Sequence, residues 1–154
     1  MTQEDKDLLL KDIFGRIPYG VKCSYLDIEF NNTTYGNLES FEYDDDKDLI
    51  FVIDGIGIYS EHVKPYLFPM SSMTEEQKKE LITITDGKFR YMWGDITNAI
   101  PRKNTSEWGI SENAFINGIK VINSLYIWLL KNHFDINGLI PKGLAIDATG
   151  LNIY

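Results

Sequence analysis

Residues 111–133, SENAFINGIKVINSLYIWLLKNH, constrain the fold more than any other stretch of the chain. Ser111 is placed to cap a helix on which Phe115, Ile119, Ile122, Tyr126, Leu129 and Leu130 recur at helical spacing. Leu125 and Trp128 widen that apolar stripe as it runs up to His133. A stripe this wide needs cover, and the expected cover is a sheet.

The other segments supply that sheet. GVKCSYLDIEF, 20–30, alternates Val21, Cys23 and Tyr25 with polar neighbours and then shifts parity to Leu26, Ile28 and Phe30, which predicts a strand with a bulge near Tyr25 and Leu26. NNTTYGN, 31–37, has turn composition, LESFEYD reads as a second strand, and DDDKD, 44–48, as a solvated turn. LIFVI, 49–53, is short, β-branched and continuous, as in a strand buried on both faces. Asp54-Gly55, ahead of IGIYSE, fits either a hairpin turn or a bulge. After the turn TDG at 85–87, KFRYMWGDI alternates like a further strand, and PRKNTSEWGI, 101–110, reads as an irregular loop.

Two shorter helices complete the pattern. Thr2 and Asp5 form a capping pair for a helix over 3–15, ended by Gly15 and Pro18, with Leu9, Leu10, Ile13, Phe14 and Ile17 on one face. Thr74 followed by Gln77 starts another, reaching about Thr83. The expected architecture is a single α+β domain over 1–154, with a mostly antiparallel sheet of about four to five strands. An N-terminal helix and a long C-terminal helix pack that sheet, and the turn-rich DINGLIPKGLAIDATGLNIY wraps back over the core.

Composition narrows the function. The net charge of −8, from 23 acidic against 15 basic residues, gives no basic footprint for phosphates and disfavours direct nucleic-acid binding. No apolar run approaches a membrane span, and MTQEDKDLLLKD lacks the basic start and long apolar core of a signal peptide. Cys23 is the single cysteine, so no disulfide framework, zinc cluster or C-x-x-C pair is expected, and a reducing, cytoplasmic location is the simplest reading. No cofactor and no metal site is expected.

Chemistry has few carriers. His62 and His133 are the two histidines, and with Asp54, Glu61 or Asp135 either is a candidate general base or metal ligand, although H-x-x-x-H and H-E-x-x-H are absent. His133 reads more simply as a protonated cap on its helix C-terminus, and His62 as a loop residue. Ser71, Ser72 and Thr74 lack the Gly-x-Ser-x-Gly or Ser-x-x-Lys context of a nucleophile. Asp44, Asp45, Asp46 and Asp48 lack the glycine and spacing of a calcium loop. The aromatics are the least ordinary feature, at 13% of the chain, and Tyr66, Phe68, Trp93 and Trp108 are the candidate binding residues.

Three segments, DLLLKDIFGRIPYGV (7–21), KPYLFPMSSMT (64–74) and WLLKNHFDINGLIPKGLAI (128–146), resemble a family of small proteins of gut Bacteroides-type bacteria and their phages. This chain has Phe68 where that family usually has Arg, Leu130 for Asn, Ile136-Asn137 for a Tyr-Arg pair and Pro141 for a common Glu. The resemblance implies a phage or mobile-element setting and transfers no catalytic residue.

The expectation is therefore a non-enzymatic protein that acts by binding another macromolecule, a protein rather than nucleic acid or membrane. In its sharper form it is an acidic inhibitor that covers a basic surface, and its carboxylates should then cluster. The alternatives are a small hydrolase or transferase using His62 or His133 with a nearby carboxylate, and a structural subunit of a larger assembly.

Overall fold

The computed structural model describes residues 1–27, 32–84 and 112–154, with side chains from residue 118 onward in the last stretch. The first helix, α1 (Gln3–Arg16), starts from a complete capping box, in which Asp5 N donates to Thr2 Oγ1 and Thr2 N to Asp5 Oδ2, both at 3.2 Å. Its buried row is Leu9, Asp12, Ile13 and Arg16, a helical spacing that puts two charged residues among the apolar ones. Phe14, expected on the same face, is 64% exposed and meets Phe41 edge-on at 5.8 Å. A 3-10 turn, Ile17–Tyr19, contains Pro18, and Gly20 at φ 70° turns the chain into the sheet.

Among the described residues six strands follow: β1 (Lys22–Asp27), β2 (Asn32–Tyr43), β3 (Leu49–Ile53), β4 (Ile56–Tyr59), β5 (Val63–Leu67) and β6 (Ile146–Asp147). Their order is β4-β3-β2-β1-β5-β6, antiparallel throughout except for the parallel β5–β6 pair. The α+β class is as expected, and the described strands outnumber the four to five expected because residues 63–67 and the C-terminal segment contribute β5 and β6, neither of which the sequence pattern marks as a strand. β2 serves two partners: residues 32–37 pair with β1 and 38–43 with β3, with a register shift between Leu38 and Ser40. Three residues, Ser60–His62, join β4 to β5. That link reaches at most about 14 Å, whereas β4 and β5 are four places apart in the order, about 19 Å in a flat sheet. The sheet must therefore curl, and β2 changes partner at its register shift between Leu38 and Ser40. Val21, Cys23, Leu38, Phe51, Ile53, Val63 and Leu67 fill the inside of the curl, packed with Leu9, Ile13 and Leu139.

Several local expectations change. NNTTYGN is strand over residues 32–37, because Thr33, Thr34 and Tyr35 pair with Leu26, Tyr25 and Ser24, and these residue types suit a pleated surface. The β1 register runs unbroken from Lys22↔Asn37 to Asp27↔Asn32, so the bulge lies in β2 and not at Tyr25 and Leu26. Along LIFVI the residues Leu49, Phe51 and Ile53 are buried while Ile50 and Val52 are half-buried, so one face is the core face. Asp54 (φ 46°) and Gly55 (φ 79°) form the two-residue hairpin turn between β3 and β4. The Asp44–Asp48 segment is a turn closed by Asp44 N to Asp48 O at 3.1 Å and Asp48 N to Asp44 Oδ1 at 2.8 Å.

The chain divides into two compact units, Met1–Ser72 with Leu129–Tyr154, and Met73–Trp128. In the second, α2 (Glu75–Ile84) begins with the expected box, Gln77 N donating to Thr74 Oγ1 at 3.2 Å and Thr74 N to Gln77 Oε1 at 2.9 Å. The long helix, α3 (Glu112–Lys131), forms as its spacing predicts. Its stripe is not buried along its length: Ile119 and Ile122 are more than half exposed and Tyr126 is exposed, while Trp128 and Leu130 are buried. The expected strand over 88–96, the turn at 85–87, the loop at 101–110, the Ser111 cap and residues 28–30 of the first strand lie outside the described residues.

Gly36 is fixed by proximity and not by φ. A Cβ there would lie 2.7 Å from Ile53 Cγ2 and closer still to Asp54 Oδ2. Gly36→Ala is expected to lower unfolding free energy by about 1–3 kcal/mol, read from urea midpoints at unchanged m-value.

Candidate functional site

The buried charged pair of the first unit lies where α1 meets the C-terminal segment. Asp12 and Arg16 are fully buried and paired through two contacts, Arg16 Nε to Asp12 Oδ2 and Arg16 Nη2 to Asp12 Oδ1, the latter at 2.9 Å. Arg16 Nη2 also donates to Phe134 O at 2.7 Å, and Asn137 Nδ2 donates to Asp12 Oδ1 at 2.7 Å. Arg16 Nη1 and His133 Nδ1 are buried without a hydrogen-bond partner among the described residues. The sequence signal for this centre was available: an Asp and an Arg four residues apart, interleaved with Leu9 and Ile13 on one helical row.

His133 closes α3. His133 N donates to Leu130 O and Phe134 N to Leu129 O, each at 3.0 Å, with His133 at φ 57°, the two bonds and left-handed residue of a Schellman motif. Glycine is usual there, and a non-glycine residue carries a cost of about 1–2 kcal/mol. The ring is 7% exposed and stacks on Tyr154, with centroids 3.9 Å apart and planes 10° apart. Burial, then the charge of Arg16, pushes the imidazole pKa down to about 4. His133 is therefore a neutral, packed cap, which corrects the expected charged one.

This geometry leaves little for acid–base chemistry. Among the described residues no carboxylate forms an ion pair with His133, and Tyr154 covers one face of its ring. Asp135 is engaged elsewhere, accepting from Leu139 N at 2.8 Å and Ile140 N at 2.9 Å. His62 is exposed, 3.7 Å from Glu61. Ser72 Oγ donates to Pro69 O, Thr74 caps α2, and Asp54 Oδ1 accepts from Asn37 N and Nδ2. Cys23 is buried, and burial pushes its thiol pKa up, so it is not a reactive thiolate. No group of three or more His, Cys, Asp or Glu among the described residues is arranged for a metal ion, and no described helix is long and apolar enough to cross a membrane.

Of the expected binding residues, Tyr66 and Phe68 are half-buried in the chain's own aromatic packing. Tyr66 meets Tyr35 edge-on at 6.2 Å, and its carbonyl accepts from the Tyr154 hydroxyl at 2.8 Å. Phe68 lies 5.9 Å from Tyr154 and 6.3 Å from Phe134. The structure thus brings these two together around Tyr154. Trp93 and Trp108 lie outside the described residues.

The most distinctive surface comes from residues 39–61, which carry Glu39, Glu42, Asp44, Asp45, Asp46, Asp48, Asp54 and Glu61 against Lys47 alone. All eight carboxylate residues except the half-buried Asp44 are exposed. They occupy β2, the turn to β3, the β3–β4 hairpin tip and the 3-10 turn that follows β4. Residues 73–128 hold seven acidic and seven basic residues, so the whole net charge of −8 belongs to the other unit. Tyr59 sits among the carboxylates with its hydroxyl 3.2 Å from Asp44 Oδ2, and that bond, then the Asp44 charge, pushes its pKa up. No protein-family model matches the chain, and no curated protein or solved structure is significantly similar to it.

Two outcomes test the buried centre. Asp12→Ala, which leaves Arg16 buried and unpaired, should cost about 3–5 kcal/mol, and the double variant Asp12→Leu, Arg16→Met should cost less than the single one in chemical denaturation. His133 has its folded pKa near 4 against about 6.5 when unfolded. The unfolded chain therefore takes up a proton that the folded chain refuses, and stability falls as pH drops from about 6.5 towards 4, by up to about 3 kcal/mol. Thermal melts across that range should show a shallower loss for His133→Asn, whose side chain tolerates the left-handed backbone.

Proposed function

We infer that this protein acts by binding and not by catalysis, and that its partner is a protein with a basic surface. The observation that carries this is the concentration of eight carboxylates against one lysine within residues 39–61, on strands and turns that hold them in fixed positions. Such a field steers a positively charged partner and penalises an acidic one. A basic surface built to hold nucleic acid is the natural complement, and covering it is how an acidic inhibitor would act. The phage or mobile-element setting suggested by the resemblance agrees with that role. The hydrolase or transferase reading has less to support it, because His133 is a neutral packed cap and His62 an exposed residue beside Glu61.

The test is retention of a stoichiometric basic protein from host lysate by the tagged chain, compared with a variant carrying Glu42→Gln, Asp45→Asn, Asp46→Asn and Asp48→Asn. The expected result is at least a tenfold weaker hold by the variant and release of the partner from the wild type at high salt. A partner held equally by both, independent of salt, would refute the reading.

A further inference from the structure

β4 is the outermost strand of the curled sheet, and among the described residues its one neighbour is β3. The two-residue hairpin makes Ile53↔Ile56 and Phe51↔Ile58 the pairs that exchange backbone bonds with β3. By the same alternation, the N–H and C=O groups of Gly57 and the N–H of Tyr59 point away from β3, while the Tyr59 carbonyl opens the 3-10 turn Ser60–His62. All of β4 is exposed except the half-buried Ile58, with Ile56 at 50% and Tyr59 at 47%. Sheets usually blunt such an edge with lysine, proline or a bulge. IGIY has none of these three, its four-residue length being its one protection, and its pairing to β3 is regular.

The charge around the edge is mostly of one sign, with Lys47 in the Asp44–Asp48 turn and Lys6, paired to Asp48 at 3.3 Å, as the exceptions. Asp54 lies in the turn before β4, Glu61 just after it, and Asp44 is bonded to the Tyr59 hydroxyl. Two copies pairing edge to edge would bring these like-charged hairpins together within about a Debye length, which disfavours a homodimer. A chain rich in lysine or arginine meets the opposite condition.

We propose that β4 is a docking edge for an extended, basic segment of another protein, which adds to the sheet as a strand through Gly57 and Tyr59 while its cations face the surrounding carboxylates. This rests on residues 39–61 being the surface that meets the partner, and it adds the manner of contact.

The probe is an eight-residue peptide of alternating lysine and valine, used with a twin of equal charge that is N-methylated at alternate residues and so cannot pair as a strand. Binding to the full chain is followed by amide NMR. The expected result is protection of the Gly57 and Tyr59 amides from exchange and at least tenfold weaker binding of the methylated twin. Tyr59 has φ −59°, which proline adopts without strain, so Tyr59→Pro removes one outward donor and leaves the β3–β4 bonds in place. Tyr59→Pro should lose at least tenfold in affinity and Tyr59→Ala much less, with both confirmed folded by their spectra. Equal binding of the two peptides, with no change at Gly57 and Tyr59, overturns strand addition, and the basic-partner reading survives if neutralising the carboxylates still weakens both. If neutralisation changes nothing, both fall. Sedimentation of the free protein as a dimer that Tyr59→Pro dissolves would make a second copy the occupant and overturn the proposal.

Discussion

The Asp12–Arg16 pair is the contact on which the organisation of the first unit depends. Both side chains are fully buried, so their charges have left water and depend on the partners they hold, with Arg16 Nη1 alone among the guanidinium nitrogens left without one among the described residues. Those partners are drawn from residues far along the chain: Phe134 supplies a carbonyl and Asn137 an amide. An apolar helix face could slide against its neighbours at modest cost. A bidentate guanidinium that must also reach a particular carbonyl cannot. The pair therefore fixes the register of α1 against a segment more than a hundred residues away, and it does so next to Leu9 and Ile13, which supply the burial that drives the contact.

The C-terminal segment is held by a different device that leans on the same place. Phe68 N donates to His133 O, Asp135 N to Phe68 O and Ala148 N to Leu67 O, so β5 and its continuation are bound to the end of α3 and to β6. Tyr154 then returns to stack on His133, with its hydroxyl between Lys22 N and Tyr66 O. A histidine held in left-handed geometry, unprotonated and beside an arginine, is an arrangement that only surrounding contacts maintain. The stacking and the Schellman bonds are those contacts, which is why a residue that looked in sequence like a possible base is a closure for the helix.

Much of this architecture could be read from local chemistry. The Thr2–Asp5 and Thr74–Gln77 boxes, the Asp44–Asp48 turn and the LIFVI strand each depend on interactions within a few residues, and each formed where its pattern placed it. What failed depended on distant partners. NNTTYGN has turn composition, yet β1 lies alongside it and gives Thr33, Thr34 and Tyr35 a strand to pair with. Gly36 looked like part of that turn, whereas its lack of a side chain makes room for Asp54 and Ile53. The stripe on α3 announced a helix correctly, but periodicity states only which residues share a face, not whether anything covers it. For the site, the two histidines drew attention because their chemistry is recognisable in isolation. The acidic residues were spread over 23 positions, of which only DDDKD reads as a solvated turn while Glu39, Glu42 and Glu61 fall in expected strands and Asp54 in a turn or bulge. The strand order is what puts β2, β3 and β4 side by side in one sheet.

The charge distribution also bears on how such a sheet stays unpaired. Among the described residues the sheet ends at β6 on one side and at β4 on the other, and an edge such as β4 presents backbone groups to any extended chain of suitable shape, its own copies included. Lysine or proline on the strand would block every partner alike. Carboxylates placed around it, with Tyr59 and Ile56 left exposed on it, leave the backbone groups usable and make access depend on the sign of the approaching charge. The device is selective because repulsion between like charges acts before contact, at a range comparable to the width of the hairpin, whereas backbone pairing acts only after it. On the proposal that β4 docks a basic segment, an edge protected in this way admits basic chains and repels copies of itself, which is how a surface kept for a partner would differ from one merely kept soluble.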